Sequence, residues 1–354
     1  MIPIILILFL VLFFLLPHQV TAPEAPQLPT KTSLLAVGDI LLTRQVAAQI
    51  EKNGDSNLPF NNLQTLLKDA DITFGNLECP LSENPNPIRE GLIFRCPTKY
   101  LAGLINAGFD VLSTANNHML DQGIEGLEFT INHLLSQNIL PVGTVLSDSM
   151  ELDTNDWPVI ERDGVKIGFL GYSYTAKNDG GKSTHPQIAS AYDLQKLQTD
   201  IATLKTRSDV VVVSMHAGTE YTRAPNQNQI DFAHAAIDAG ANIVIGHHPH
   251  WIQPVEIYSP QPSSPGDGEG WGEVETKRQG IIFYSLGNFV FDQMWSQETR
   301  EGLMVKLNFE NQELKSAELL PVIIENYCCP RLANDQEKPN ILRKINLDSD
   351  IIVF

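Results

Sequence analysis

Five of the nine histidines follow apolar runs that are typical of buried strands, and imidazole nitrogens are common metal ligands. These five are His118, His216, His247, His248 and His250. His248 and His250 flank a proline that stiffens the segment, so we predict that at least one of them binds a metal ion. His247 is expected either to face the core or to contact the metal ligands and orient them.

Oxygen donors also follow apolar runs, two of them different from those before the histidines. Asp39 and Glu78 offer carboxylates, and Asn117 offers an amide oxygen. Together with the histidines they exceed what one tetrahedral zinc requires, so the set predicts one or two divalent ions, Mn, Fe or Zn. Two such ions are typical of enzymes that hydrolyse phosphate and related esters. Taken singly, Asp39, Asn117 and Asn288 are equally typical of turn or helix caps.

The elements that must position these side chains alternate between short apolar runs and helical patterns, which indicates an α/β fold. Strands are predicted at 34–37, 72–74, 110–114, 209–214, 242–245 and 281–284. Helices are predicted at 44–52, 61–69, 123–137, 191–206 and 227–239, and a hairpin at 157–170. Ligands collect beyond the carboxyl ends of strands in such sheets, so the polar strand ends are expected to form one site.

The two ends of the chain differ from its centre. Residues 1–18 are almost entirely apolar but shorter than the roughly 20 residues of a bilayer-spanning helix, which predicts a signal peptide or an uncleaved signal anchor. A linker is predicted at 19–32, the folded domain at 33–330 and a poorly ordered or loosely docked tail at 331–354. The domain is therefore expected outside the cytoplasm, attached to a membrane through its N-terminal segment or secreted.

Composition limits the classes of function. The 354 residues are 43% hydrophobic, enough for a large core, and their net charge of −18 argues against general nucleic-acid binding. Among four cysteines, Cys79 and Cys96 are a candidate disulfide that would add about 3 kcal/mol, whereas the adjacent Cys328 and Cys329 have a spacing that seldom gives an unstrained disulfide. Residues 259–279 are predicted to be an exposed acidic loop or a flap over the site.

An ordered set of motifs resembles the CapA-type poly-γ-glutamate capsule-synthesis family over residues 33–325. The motifs are Gly38-Asp39, Gly75-Asn76-Leu77-Glu78, Asn116-Asn117-His118 with Asp121, His216 to Tyr221 with Glu220, Gly246 to His250, and Tyr284 to Phe289 with Asn288. The resemblance implies a four-layer α/β/β/α sandwich of the metallophosphoesterase type, preceded by the N-terminal hydrophobic segment. It also implies a two-metal site.

The resemblance assigns roles position by position. It makes His118 the catalytic residue and implies a metal-ligand set of Asp39, Glu78, Asn117, His216, His248 and His250. It leaves Asn76, Asn116, Asp121, Glu220, His247 and Asn288 to support the ligands or the substrate. Two positions depart from the family pattern: Leu41 replaces a ligating histidine, and Asn76 replaces the bridging aspartate, with Glu78 as its substitute. One metal ion or two therefore remain open.

Two functions fit these observations. The first is a metal-dependent hydrolase of the cell envelope that acts on a phosphoester or on an amide of an anionic polymer such as poly-γ-glutamate. The alternative is a non-catalytic polymer-binding component of capsule synthesis or export, working with capsule-synthesis membrane proteins. Either needs a locally positive site in an acidic protein, which bound metal would supply.

Overall fold

The computed structural model of the protein describes residues 30–83, 92–146, 157–175, 184–260 and 279–354. The strands are β1 (Lys31–Ile40), β2 (Ile72–Leu77), β3 (Val111–Ser113), β4 (Leu140–Val142), β5 (Val159–Arg162), β6 (Val165–Ser173), β7 (Val210–His216), β8 (Ile243–His247), β9 (Val255–Tyr258), β10 (Gly280–Phe283), β11 (Asn288–Val290), β12 (Glu301–Glu310), β13 (Glu313–Glu325), β14 (Cys329–Leu332) and β15 (Ile351–Val353). The α-helices are α1 (Arg44–Asn53), α2 (Gln64–Asp69), α3 (Leu101–Ala107), α4 (Gly123–Ser136), α5 (Leu194–Leu204), α6 (Gln227–Ala239), α7 (Gln297–Arg300) and α8 (Lys338–Arg343).

These strands form two sheets, so the chain has a mixed α/β fold. The first sheet has the order β14-β13-β12-β1-β2-β3-β4, with β11 beside β1 and β15 beside β13. Strands β1 to β4 are parallel, and β12 pairs antiparallel with β1 and β13. The second sheet has the order β5-β6-β7-β8-β10-β9, in which β5 and β9 are antiparallel edges of a parallel centre.

Side-chain alternation along the strands explains the packing. In β1, Leu34 joins a core that includes residues of both sheets, whereas its neighbour Leu35 packs with buried side chains of α1, α2 and α3. Phe74 of β2 stacks on Phe169 of β6, with ring centroids 5.9 Å apart, which joins the sheets directly. Helices α5 and α6 bury apolar side chains beside β6, β7 and β8. The sheets are therefore fixed against each other near the strand ends that carry the polar motifs.

Most predicted elements are confirmed. The five predicted helices correspond to α1, α2, α4, α5 and α6, and the six predicted strands to β1, β2, β3, β7, β8 and β10. The predicted hairpin is β5–β6, with Asp163 and Gly164 at the positive φ values that its turn requires. Helix α3 was not predicted, because seven residues with an internal glycine give too short a pattern.

The expectation of a poorly ordered or loosely docked tail at 331–354 was wrong. Strand β15 pairs antiparallel with β13, and Ile341 and Leu342 of α8 belong to the hydrophobic core. Each of these elements has six residues or fewer, too short for its periodicity to be recognised. The predicted linker also ends earlier than residue 32, because Lys31 and Thr32 already pair with β12.

Some predictions fall on residues that the structure does not describe. The N-terminal segment 1–18, most of the linker and most of the acidic insertion 259–279 lie outside the described residues. Within the described ranges, no helix combines the length and apolar character needed to cross a membrane.

The structure does not contain the expected disulfide between Cys79 and Cys96. Cys79 and Cys96 are buried free thiols, whereas Cys328 and Cys329 form a disulfide. The thiol of Cys79 accepts a main-chain hydrogen bond at 3.4 Å, and that of Cys96 lies 3.5 Å from a main-chain carbonyl oxygen. The turn between β13 and β14 brings the adjacent sulfurs together, a local geometry that sequence spacing alone does not predict.

Candidate metal centre

The carboxyl ends of parallel strands from both sheets meet at one place. Asp39 of β1 is in register with Asn76 of β2 and with Asn288 of β11. In the second sheet, His216 of β7 is in register with His247 of β8. The parallel direction of these strands therefore brings their polar ends together, as the sequence predicts.

Two groups of three side chains could each hold a cation, and they share one residue. The first group is Asp39, Glu78 and His250, and the second is Glu78, His216 and His248. Within each group the ligand atoms lie within 4.8 Å of one another. Three protein ligands that leave a position open are typical of catalytic metal sites, and the shared Glu78 is placed to bridge two ions.

Glu78 provides the test of whether a cation fits. Both carboxylate oxygens are buried, and neither has a hydrogen-bond partner among the described residues. Burial, reinforced by the negative charge of Asp39, raises the pKa of Glu78 well above its ordinary value. An unpartnered buried carboxylate is destabilising, and a divalent cation would compensate both oxygens. The donor set therefore fits a divalent metal ion.

Asp39 is also buried but has several partners. Asn76 Nδ2 donates to its Oδ1 at 2.8 Å, and the main-chain N–H of His248 donates to Oδ2 at 3.3 Å. His247 Nδ1 lies 3.3 Å from Oδ1, and His250 Nδ1 lies 3.5 Å from Oδ2. Burial acts to raise the pKa of Asp39, but the two imidazoles outweigh it and hold this pKa well below the ordinary value. Asp39 is therefore an ionised oxygen donor.

The imidazoles of the second group are neutral and available as ligands. Burial, followed by the neighbouring imidazoles, lowers the pKa of His216 well below its usual value and that of His248 to about 4. His248 Nδ1 is buried without a hydrogen-bond partner in the described part of the chain. His216 Nε2 lies 2.8 Å from Asn117 Oδ1. These neutral nitrogens and the amide oxygen are donor types that Mn, Fe and Zn accept.

The segment that carries the last two histidines has a strained backbone. His248 and His250 have φ values of 97° and 58°, a region that costs non-glycine residues roughly 1–3 kcal/mol each. Tyr221 donates its main-chain N–H to the carbonyl oxygen of Pro249 at 2.9 Å. This hydrogen bond ties the turn at Pro249 to the segment that follows β7. Such strain persists where the surroundings impose it, which is common at functional sites.

Two asparagines hold the first ligand in place. Asn116 Nδ2 donates to Asn76 Oδ1 at 3.1 Å and to a main-chain carbonyl at 2.9 Å, which fixes the orientation of both amides. The Nδ2 of Asn76 consequently faces Asp39 and lies 3.4 Å from His216 Nδ1. An N–H donor does not ligate a cation, so Asn76 supports Asp39. Glu78, and not Asn76, is therefore the residue that both metal-ligand groups share.

A second chain of amides orients His250. Asn288 Nδ2 donates to the carbonyl oxygen of Thr299 at 2.9 Å, so its Oδ1 is the atom 2.9 Å from His250 Nδ1. Nδ1 therefore carries the proton, and the lone pair of Nε2 lies 3.8 Å from Glu78 Oε1. Gln293 extends the chain, because its side chain lies between Asn288 at 3.2 Å and the hydroxyl of Tyr221 at 3.0 Å. The tautomer needed for metal binding is thus built into the fold.

His118 lies beside the candidate metal groups. Its Nδ1 is 2.8 Å from Asp121 Oδ2, and its Nε2 is 4.0 Å from Glu78 Oε1. Asp121 also accepts the main-chain N–H of Phe94 at 2.7 Å, and the ring of Phe94 stacks on that of His118 with centroids 3.9 Å apart. The carboxylate orients the imidazole so that Nε2 is directed toward the centre.

The structure brings together all six predicted ligands and His118, with Asn76, Asn116, Asp121, His247 and Asn288 in contact with them. Glu220 differs: it is exposed in the turn after β7, although its charge acts on Glu78 and His248. It therefore lies near the mouth of the site and not among the buried supports. His247 is completely buried beside Asp39, consistent with the supporting position that the sequence suggests.

Two residues at the site were not predicted from the sequence. Phe94 covers one face of His118, and Gln293 continues the hydrogen bonds that start at His250. An aromatic residue in a loop indicates burial only, and a glutamine after a strand has no specific signature. Neither residue carried a signal that the sequence could have revealed.

The fold and this cluster define a two-sheet α/β protein with a candidate centre for one or two divalent cations. Residues 33–293 match the family described as bacterial capsule synthesis protein PGA_cap, and the chain belongs to that family.

Named relatives share most of the chain. It is 30% identical to the PGA biosynthesis protein CapA of Bacillus subtilis, over 92% of this chain and 82% of that protein. It is 27% identical to the capsule biosynthesis protein CapA of Bacillus anthracis, over 98% and 80% respectively. A solved phosphatase structure from Mycoplasma pneumoniae aligns with 89% of this chain and all of its own, at 14% identity and a TM-score of 0.48, too remote to support an inference.

Proposed function

We propose that the protein is a metal-dependent hydrolase of capsule synthesis that acts on a phosphoester or on an amide of an anionic polymer such as poly-γ-glutamate. In this proposal the two sheets and their helices form a four-layer sandwich of the metallophosphoesterase type. The domain works outside the cytoplasm, with residues 1–18 as its signal segment or membrane anchor. The names of the two Bacillus relatives, a PGA biosynthesis protein and a capsule biosynthesis protein, support the proposal that the substrate is an anionic polymer.

One observation carries the hydrolase proposal: two groups of metal-ligand side chains share a buried carboxylate that has no hydrogen-bond partner in the described structure. Asp39, Glu78 and His250 would hold one ion, and Glu78, His216 and His248 the other, with the Asn117 oxygen beside His216. When bound, such ions supply Lewis acidity and a nucleophilic water at neutral pH. The acceptor and imidazole atoms needed for this chemistry are already oriented by the surrounding amides.

His118 is proposed to be the general acid. Its Nδ1 faces the Asp121 carboxylate and therefore carries a proton, which leaves Nε2 to hold or transfer a second proton. Nε2 lies 4.0 Å from Glu78 Oε1, so a scissile bond held at the centre would have its leaving atom within reach. Proton donation to the leaving oxygen of an ester or to the leaving nitrogen of an amide would assist hydrolysis of either substrate.

A non-catalytic, polymer-binding role is the second candidate, and one observation favours it. Leu41 stands where the family pattern has a ligating histidine, and its side chain is completely buried in the core next to α1. The first ion would therefore have Asp39, Glu78 and His250 as its ligands. If this group binds metal too weakly for turnover, the site would still present a cation to an anionic polymer.

Metal content per chain tests the proposal first. The full-length protein, exposed to Mn, Fe and Zn, is expected to hold one to two ions by elemental analysis, and His248→Ala to lose at least one. His234→Ala is the matched control. This imidazole lies in α6, pairs with Glu256 of β9 and belongs to neither metal-ligand group. Absence of metal from the well-folded wild-type protein would refute the hydrolase proposal.

Turnover separates the two candidates. His118→Ala is expected to lower the hydrolysis rate about 100-fold or more on phosphoester and γ-glutamyl amide substrates, because general acid catalysis contributes on that scale. Its metal content should match that of the wild type, because His118 belongs to neither ligand group. A metal-loaded wild type without turnover on either substrate class would favour the polymer-binding role.

A further inference from the structure

Arg44, the first residue of α1, has an unusual backbone conformation. Its φ is 55°, in the left-handed region that long side chains rarely adopt. The helix begins four residues after β1 ends, so this conformation lies just beyond the strand that carries Asp39. Strain of this kind persists where a side chain has to be held in one place.

The side chain of Arg44 is fixed on one edge and open on another. Nε lies 3.1 Å from Asp292 Oδ2, and Nη2 lies 2.7 Å from Asp292 Oδ1. The Asp292 side chain is only 1% exposed and also accepts the main-chain N–H of Gln45 at 3.0 Å. The Arg44 side chain is 35% exposed, and its contacts with Asp292 use Nε and Nη2, so they leave the Nη1 edge of the guanidinium group uncommitted to Asp292. One edge of the guanidinium group is thus positioned and the other is available.

Arg44 also contacts two segments that support the candidate metal centre. Its guanidinium carbon lies 5.6 Å from the ring centroid of Phe94, the ring that covers His118. Asp292 lies in the loop after β11, next to Gln293, which accepts a hydrogen bond from Asn288, the β11 residue that orients His250. The cation is therefore held between the segment that packs on His118 and the segment that supports His250.

We propose that Arg44 is an anion-binding residue of this site and takes an oxyanion of the substrate, a phosphate or a carboxylate oxygen, through its free Nη1 edge. The proposal rests on the proposed function, because the substrate meant is the one that the metal centre acts on. A guanidinium group suits this role, since its planar N–H groups match two oxygens of one anion.

Equilibrium binding tests the proposal on the full-length protein loaded with Mn²⁺. Inorganic phosphate and a short γ-linked glutamate oligomer are titrated separately by calorimetry. Arg44→Gln is expected to weaken binding of at least one probe about tenfold or more, the typical effect of losing a charged hydrogen bond. Arg44→Lys should bind more tightly than Arg44→Gln, because it keeps the charge. Arg95→Gln is the control, since Arg95 contacts main-chain carbonyls of residues 82 and 83 and should bind as the wild type does.

The two probes identify the source of the oxyanion. A loss confined to phosphate assigns Arg44 to a phosphoester, and a loss confined to the oligomer assigns it to a carboxylate of the polymer. Wild-type affinity for both probes in Arg44→Gln, or no binding of either probe by the wild type, would overturn the proposal. A wild type that holds metal and turns over substrate, with Arg44→Gln unchanged, would reject Arg44 alone and leave the proposed function standing.

Discussion

The carboxylate of Glu78 is completely buried next to that of Asp39, and no described residue donates a hydrogen bond to it. Without a cation this side chain opposes folding, because an ionised carboxylate loses its hydration without gaining a partner. With a cation it becomes the residue that joins both ligand groups. Stability and metal binding therefore act in opposite directions at this single position.

The substitution Glu78→Gln tests this opposition. In the metal-free protein at pH 7 it is expected to raise the free energy of unfolding by about 1–3 kcal/mol, because burial of this carboxyl group costs free energy whether it binds a proton or stays ionised. In the presence of Mn²⁺ the order should reverse, since only the wild type gains binding energy in the folded state. Urea unfolding with and without metal measures both effects, and equal stability of the two proteins under both conditions would contradict the prediction.

The pH dependence of this difference has a defined sign. Burial raises the pKa of Glu78, so the folded, metal-free protein binds this proton more tightly than the unfolded chain does. The wild type consequently loses stability as pH rises above the ordinary carboxyl range, whereas Glu78→Gln does not lose this contribution. We expect the advantage of Glu78→Gln to be larger at pH 8 than at pH 5, measured by urea unfolding with a chelator present.

At the scale of elements, the site depends on close approach between β1 and the segment before β11. Asp39 donates its main-chain N–H to the carbonyl oxygen of Gly287 at 3.0 Å. A Cβ atom at Gly38 would lie only 2.0 Å from that same oxygen. A glycine is therefore needed directly before the first ligand, because any other side chain would separate the two segments.

Gly38→Ala is expected to lower the free energy of unfolding by about 3 kcal/mol or more and to reduce metal content, since the clash is with backbone and cannot be relieved by a rotamer change. Gly54→Ala is the matched control. Gly54 has a φ of 64°, and a Cβ atom added there would meet no other atom within 4 Å. This substitution should therefore cost only about 1–2 kcal/mol and leave metal content unchanged. Similar losses in both variants would show that the close approach is not limiting.

At the scale of the whole molecule, the fold extends beyond the residues that match the family. The match ends at residue 293, yet β12 and β13 follow it, and β12 pairs directly with β1. Helix α8 and β15 continue this arrangement, with Ile341, Leu342 and Ile345 completely or almost completely buried. The C-terminal residues thus complete the sheet that carries Asp39 and Glu78.

Deleting residues 334–354 is expected to prevent stable folding. The deletion removes β15, one of the strands that pair with β13, and three buried aliphatic side chains, each of which typically contributes about 2–5 kcal/mol, against a total stability of roughly 5–15 kcal/mol. Val353→Ala is the control, because this side chain is 75% exposed and should change stability by no more than about 0.5 kcal/mol. Soluble yield and urea unfolding measure the result, and a truncated protein as stable as the wild type would contradict it.

The sequence by itself determined the α/β class, the main elements and the residues that form the candidate metal centre. It could do so because strand and helix periodicities are local, and because parallel strands bring their carboxyl ends together whatever the details of packing. His216, His248 and Glu78 were identifiable from their residue types and their positions after apolar runs.

Only the tertiary structure decided how these residues are used. It placed Glu78 between the two ligand groups, turned the N–H of Asn76 toward Asp39 and set the tautomer of His250 through Asn288. It also left Cys79 and Cys96 unpaired and put the last residues of the chain into the first sheet. These outcomes depend on contacts between segments far apart in the chain, whose distances and orientations are fixed only when the two sheets pack against each other.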